Sequence, residues 1–155
     1  MAKYEVITAS DVQDIMDMNS MVFTSDPWVL DELFVLPTKA WIEGEFSRGL
    51  KQYLANLKSL KYKKIVNDCD NFALNAWVFA RACHVSTDFE SREGSLPNAG
   101  IAFGVFVYSP SQTGPRHMRN FVICENRTLW FYEPQIRGIA VMTDEEKWEC
   151  DRYAI

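Results

Sequence analysis

From Asp70 to His84 the apolar residues Phe72, Ala73, Ala76, Phe79, Ala80 and Cys83 recur at helical spacing, and the alanines among them let other elements approach closely. A helix with that pattern is buried, so the rest of the chain has to be arranged around it. Its start is marked by the run Asn67-Asp68-Cys69-Asp70-Asn71, in which Asp68 is the expected N-cap and Cys69 stands at the positive end of the helix.

Around this helix the sequence predicts other helices first and strands afterwards. A short helix begins near Ser10, with Val12, Ile15, Met16 and Met18 as its modest apolar set. Ser25-Asp26-Pro27 suggests a second start, with Trp28, Leu30, Leu33 and Phe34 following it until Pro37 interrupts. Thr38 is a suitable N-cap for a helix to about Leu57, because Ile42, Phe46, Leu50, Tyr53, Leu54 and Leu57 recur every three or four residues. The lysines between Lys58 and Lys64 read as a solvated helix end.

Beyond His84, Ser86 to Gly100 reads as a loop and Ile101 to Tyr108 as a β-prone run. A turn-rich stretch from Ser109 to Pro115 leads to strands at His117–Cys124 and Thr128–Tyr132, joined by a tight turn at Glu125-Asn126-Arg127. Ile139 to Met142 suggests one more short strand, and Thr143 with Glu146 a capping box for a terminal helix. The expected fold class is α+β: N-terminal helices and a buried helix led by Cys69, packed on an antiparallel meander. The expected organisation is one domain over 1–155, with a helical portion over 1–64 and the core over 65–155.

Charge and composition narrow the function classes. A net charge of -5 argues against general nucleic-acid binding, which rests on a surplus of Lys and Arg facing phosphates. Nothing resembles a secretory signal, and no run of about 18 apolar residues offers a membrane span, so a cytoplasmic setting is expected. The four cysteines, at 69, 83, 124 and 150, form no CxxC pair, and reduced thiols are the default. A metal site from Cys69, Cys83, His84 and Cys124 is disfavoured because Cys83 and His84 point about 100° apart on a helix. No cofactor signature is present.

A thiol with a pKa near 8.5 is largely protonated at neutral pH, so a nucleophilic Cys69 needs the helix terminus, an imidazolium, or both. Asp68 and Asp70 oppose that if they face the sulfur. Of the two histidines, His84 lies roughly 22 Å along the helix from Cys69 and reads as a residue at its C-terminus, which leaves His117. Glu133, closing the next strand, is the candidate carboxylate for orienting His117. Gln135 and Asn120 are neutral alternatives, Asn120 also reading as a strand residue that simply makes hydrogen bonds.

The segments Asp68-Cys69-Asp70-Asn71-Phe72-Ala73, His117-Met118-Arg119-Asn120-Phe121-Val122 and Glu133-Pro134-Gln135 resemble, in that order, the motifs of the transglutaminase-like branch of the papain-like cysteine enzymes. Small stand-alone members of that branch are encoded by bacteria and their phages. The resemblance implies a papain-like core, with Cys69 as nucleophile, His117 as base and Glu133 as orienting acid. It also implies amide hydrolysis, deamidation or transamidation on a peptide or an amide-bearing protein. Glu133 departs from the Asp usual in the family, and Pro115-Arg116 precedes His117 where a small residue is common. The alternatives are a catalytically inactive protein on the same scaffold that binds a ligand or peptide, and a structural or assembly protein. The sequence leaves oligomeric state open.

Overall fold

The computed structural model describes residues 5–58, 68–91, 99–109 and 116–155. The expectations for Asn67, for the lysines beyond Lys58, for 92–98 and for the turn-rich stretch over 110–115 lie outside those residues.

Two sheets organise the chain. The larger has five antiparallel strands in the order β7 (Gly138–Ala140), β6 (Thr128–Glu133), β5 (His117–Cys124), β4 (Phe103–Tyr108) and β8 (Cys150–Ala154). The smaller joins β1 (Val6–Thr8) antiparallel to β2 (Leu33–Val35), and β2 parallel to β3 (Ala99–Ile101). Ala102 is the hinge between them. Its N–H donates to the Val35 carbonyl, and its own carbonyl accepts from Ile123 N–H, so one residue hands the chain from the small sheet to the large one.

The pleat of the large sheet sorts its side chains into two cores. Phe106, Phe121, Ile123, Leu129, Phe131 and Tyr153 face Val12, Ile15 and Met16 of helix α1 (Ala9–Met18). On the other face, Phe103, Val122, Cys124 and Tyr132 meet Phe72, Ala76 and Ala80 of helix α4 (Cys69–Ser91). They also meet Ile42, Phe46, Leu50 and Leu54 of a helical run made of α2 (Lys39–Trp41), a π turn over Ile42–Phe46, and α3 (Ser47–Asn56). The sheet is thus the middle of three layers. Gly104 is required within it, since a Cβ there would collide with the Phe121 ring and the Ala154 carbonyl.

Local signals explain most helix starts. Thr8 and Thr143 form capping boxes with Asp11 and Glu146, opening α1 and α5 (Asp144–Trp148), and Thr38 accepts from Trp41 N–H at the start of α2. The π turn is stapled by Ser47, whose hydroxyl donates to the Ile42 carbonyl at 2.7 Å and lies 2.9 Å from the Tyr132 hydroxyl.

Several expectations are corrected. The helix expected from Ser25 is instead an irregular segment that ends in strand β2. Its backbone bonds to β8 through Ser25 N–H to Asp151 O, Trp28 N–H to Tyr153 O and Leu30 N–H to Ile155 O. Trp28 and Leu30 are exposed there, so those apolar residues do not form the buried stripe a helix would need. The α+β fold class with helices first and a single meander is also corrected, because β1 and β2 fall in the N-terminal third and β8 docks on β4 after the last helix. His84 is not at a helix C-terminus, since α4 continues to Ser91; its Nε2 sits 2.9 Å from the Ala99 carbonyl oxygen. No helix among the described residues is long and apolar enough to cross a membrane.

Candidate functional site

The first turn of α4 is held by Asp68, whose Oδ1 accepts from the Asn71 N–H at 3.4 Å and from Asn71 Nδ2 at 3.3 Å. Cys69 is therefore the first helical residue and is half-buried. Its Sγ–H donates to Asp70 Oδ1 at 3.4 Å, and the backbone amide of Met118 also bonds to the sulfur. Burial pushes the thiol above its ordinary pKa. Hydrogen bonding to Asp70 and the charges of Asp70 and Asp68 add to that rise, while the Met118 amide works against it.

His117 and Glu133 are engaged elsewhere. His117 pairs with Tyr108 across β4 and β5, and its ring stacks on the Tyr108 ring with centroids 5.5 Å apart. That places the imidazole on the α1 face of the sheet, opposite α4. Among the described residues no hydrogen bond joins it to Cys69. Glu133 accepts from Arg119 Nε at 3.0 Å through Oε2 and from Gln135 N–H at 3.1 Å through Oε1. The register decides this: Asn120 pairs with Tyr132, which sets Glu133 beside Arg119 rather than His117. Arg119 also approaches Glu146, 3.8 Å away, so Glu133 belongs to an ion cluster that ties α5 to the sheet.

Asn120, two residues along β5 from Met118, is 0% exposed. Its Nδ2 donates to the carbonyls of Ala73 at 2.9 Å and Gly104 at 3.1 Å, fastening α4 to β4. Its Oδ1 is buried without a partner, as is the Nε1–H of Trp77, which packs against Ala73, Val105 and Ala154.

A second group of residues shares the Cys69 side of the sheet. Val107 pairs with Met118 on one strand and with Arg152 on the other, so the three side chains stand in one row on the α4 face. Trp28 bridges to Ala154, two residues beyond Arg152, and the Arg152 guanidinium lies 4.9 Å from the centre of the Trp28 ring. Trp28 is 64% exposed, and Val107 is half-buried where most of β4 is fully buried. Neither Trp28 nor Arg152 carries a sequence signal for this pairing, since they lie at opposite ends of the chain and meet only because the Ser25–Leu30 segment runs along β8.

No protein-family model matches the chain, and no curated protein matches it. Its fold is similar to that of a lectin. One solved structure, described as a PSL1a-E64 complex, has a TM-score of 0.72 at 16% identity, covering 97% of this chain and 51% of that one. The Polyporus squamosus lectin, bound to the human-type influenza-binding epitope Neu5Acα2-6Galβ1-4GlcNAc, gives 0.69 at 16% identity, with coverage of 97% and 49%. The chain spans about half the length of these solved chains, and at this identity the likeness is one of fold.

These likenesses, and not a transglutaminase-like or papain-like enzyme, are what the comparisons bring out, so the family and the papain-like core inferred from the three motifs are corrected. The reading as a thiol protease or other hydrolase working through a Cys69–His117–Glu133 triad is corrected with them. The geometry accords with the correction: the thiol is shifted away from thiolate, the imidazole stacks on Tyr108, and the carboxylate is bound to Arg119. The peptide or amide-bearing substrate is likewise corrected, because the lectin's description names a saccharide epitope. Among the described residues no group of His, Cys, Asp and Glu is placed to hold a metal ion.

Proposed function

We propose that this chain is a ligand-binding protein whose site is the strip on the α4 face of the large sheet, from Cys69 across Met118 and Val107 to Arg152 and Trp28. The observation that carries this reading is the row Met118–Val107–Arg152, which brings the helix terminus and the exposed indole to the same end of one sheet face. Ligand sites combine apolar and aromatic surface with a few placed polar groups, and this strip offers an indole, a valine, a thiol and a guanidinium. The unpartnered Asn120 Oδ1 and Trp77 Nε1–H are buried on the same face of the sheet, each a polar group that costs about 1–3 kcal/mol when unpaired. The two solved chains of similar fold, described with E64 and with a sialylated trisaccharide, lend support and supply the probes.

The test is a titration of the isotopically labelled, reduced protein with E64 and, separately, with Neu5Acα2-6Galβ1-4GlcNAc, followed through backbone amide resonances. Shifts that cluster on Cys69, Val107, Met118 and Arg152 with at least one probe are expected. Intact mass of the E64 sample tells reversible binding from attachment to the thiol. No shifts with either probe, or shifts confined to other surfaces, overturn the reading.

A further inference from the structure

Helix α4 is apolar on both of its sides. On the inner side Phe72, Ala76 and Ala80 pack on the sheet, and Phe79 meets Phe46 and Tyr53 of the neighbouring helical run. The outer side carries Asp70, Leu74, Val78 and Ala82, all exposed and each four residues after the last, so they form one line along the helix. Leu74 is 42% exposed and Val78 54%. A helix side that faces only water is ordinarily polar, as in α3, whose exposed positions are Arg48, Lys51, Gln52 and Asn56. The outer line of α4 lacks that character between its ends, and the ends differ in charge. Asp70 stands exposed in the first turn, and Arg81, one turn beyond Val78, holds Asp31 at 3.0 Å with its own side chain still 34% exposed.

We infer that this line is a docking surface for a second copy of the chain, with the two α4 helices antiparallel about a twofold axis near Asn75 and Ala76. A twofold interface requires that residue i of one copy meet residue j of the other and the reverse. The line satisfies this with itself: Leu74 meets Val78 of the second copy, and Asp70 and Arg81, about equally far from the axis in opposite directions, meet each other twice. A parallel pair would set Asp70 against Asp70, so charge selects the antiparallel arrangement. The apolar pairs supply the affinity and the charge pairs fix the register. From Asp70 to Ala82 the line runs about 18 Å at 1.5 Å per residue. A surface of that length and one helix wide falls short of the roughly 800 Å² per partner of a standard interface, so the dimer is a weak one that forms as concentration rises. It does not depend on what the strip beside Cys69 binds.

The experiment is sedimentation equilibrium of the reduced wild-type chain from about 10 µM to about 1 mM, where a monomer giving way to a dimer is expected. Leu74→Lys and Val78→Glu, each at an exposed position, are expected to weaken the dimer about tenfold or more when studied singly. Mixed in equal amounts, the two variants are expected to associate again. In the mixed pair the introduced lysine faces the introduced glutamate, while Leu74 of one chain meets Val78 of the other. Asp70→Arg, which sets an arginine against Arg81, is expected to weaken the dimer as well. Thermal unfolding establishes that each variant is folded. Amide resonances of the wild type followed on dilution give a readout that needs no variant, and the shifts are expected on Leu74, Val78 and Ala82. A wild type that stays monomeric throughout, dilution shifts confined to other surfaces, or a mixture that associates no better than the separate variants overturns the inference.

Discussion

A cysteine at the start of a helix gains from the unpaired amides there, which favour thiolate. At Cys69 the neighbours reverse that sign: burial disfavours the charge, Asp70 accepts the thiol proton in a hydrogen bond, and Asp70 and Asp68 add like charge, all outweighing the Met118 amide. The expected outcome is an alkylation midpoint for Cys69 above the ordinary value of about 8.5. Asp70→Asn lowers the midpoint, because it removes both the carboxylate acceptor and the negative charge that stabilise the protonated form. Iodoacetamide labelling against pH, with the modified residue located by mass spectrometry, reads both values; a wild-type midpoint below about 8.5 contradicts the electrostatic account. At this scale the position of Cys69 behind an Asp68 cap was legible, because capping is a matter of a few adjacent residues. The partners of His117 and Glu133 were not. Which of His117 and Arg119 meets Glu133 depends on the β5–β6 register, and that is set by the Glu125–Arg127 turn, where Asn126 and Arg127 both take positive φ.

Elements whose signals are local were the readable ones. The starts at Thr38 and Thr143 follow from residues three apart, and the strand Phe103–Tyr108 from the β-prone run that begins at Ile101. Strands of three residues carry no such pattern: β2 exists because β1 and β3 supply its hydrogen bonds, and β3 is remote in sequence. The same local logic gives α1 a pH dependence. Asp11 accepts from Thr8 N–H at 2.7 Å and from the Thr8 hydroxyl at 2.8 Å, and Arg127 Nη1 lies 2.9 Å from its other oxygen. These hydrogen bonds, with the Arg127 charge after them, hold the Asp11 pKa below the ordinary carboxylate value. A carboxylate with a lowered folded pKa stabilises the fold above its unfolded pKa of about 3.9, and that contribution is lost as pH falls through the folded value. Amide exchange of Thr8 and Asp11 is therefore expected to quicken relative to the rest of α1 on acidification below about pH 4. Asp11→Asn removes the step; a step that persists in the variant contradicts the assignment.

Across the whole molecule, the layers are joined by residues that touch several elements at once, and Tyr153 is the clearest. Its side chain is 2% exposed, its hydroxyl donates to Gln13 Oε1 of α1 at 3.0 Å, and its ring meets Phe23 at 4.9 Å and Phe121 at 5.8 Å. Its carbonyl accepts from Trp28 N–H, which holds the Ser25–Leu30 segment along β8. One side chain thus links α1, the large sheet and the segment that presents Trp28 to the proposed site. Removing a buried aromatic of this size costs about 3–5 kcal/mol, a large share of the roughly 5–15 kcal/mol that holds a domain together. Tyr153→Ala is expected to lower the urea midpoint accordingly. Tyr153→Phe, which keeps the ring and loses only the bond to Gln13, is expected to cost about 1 kcal/mol. Because the loss falls where the segment docks, amide exchange at Trp28 and Leu30 should accelerate more in Tyr153→Ala than exchange in β5. Uniform acceleration across β5 and β8 alike would instead place Tyr153 in the general core, with no particular hold on the site.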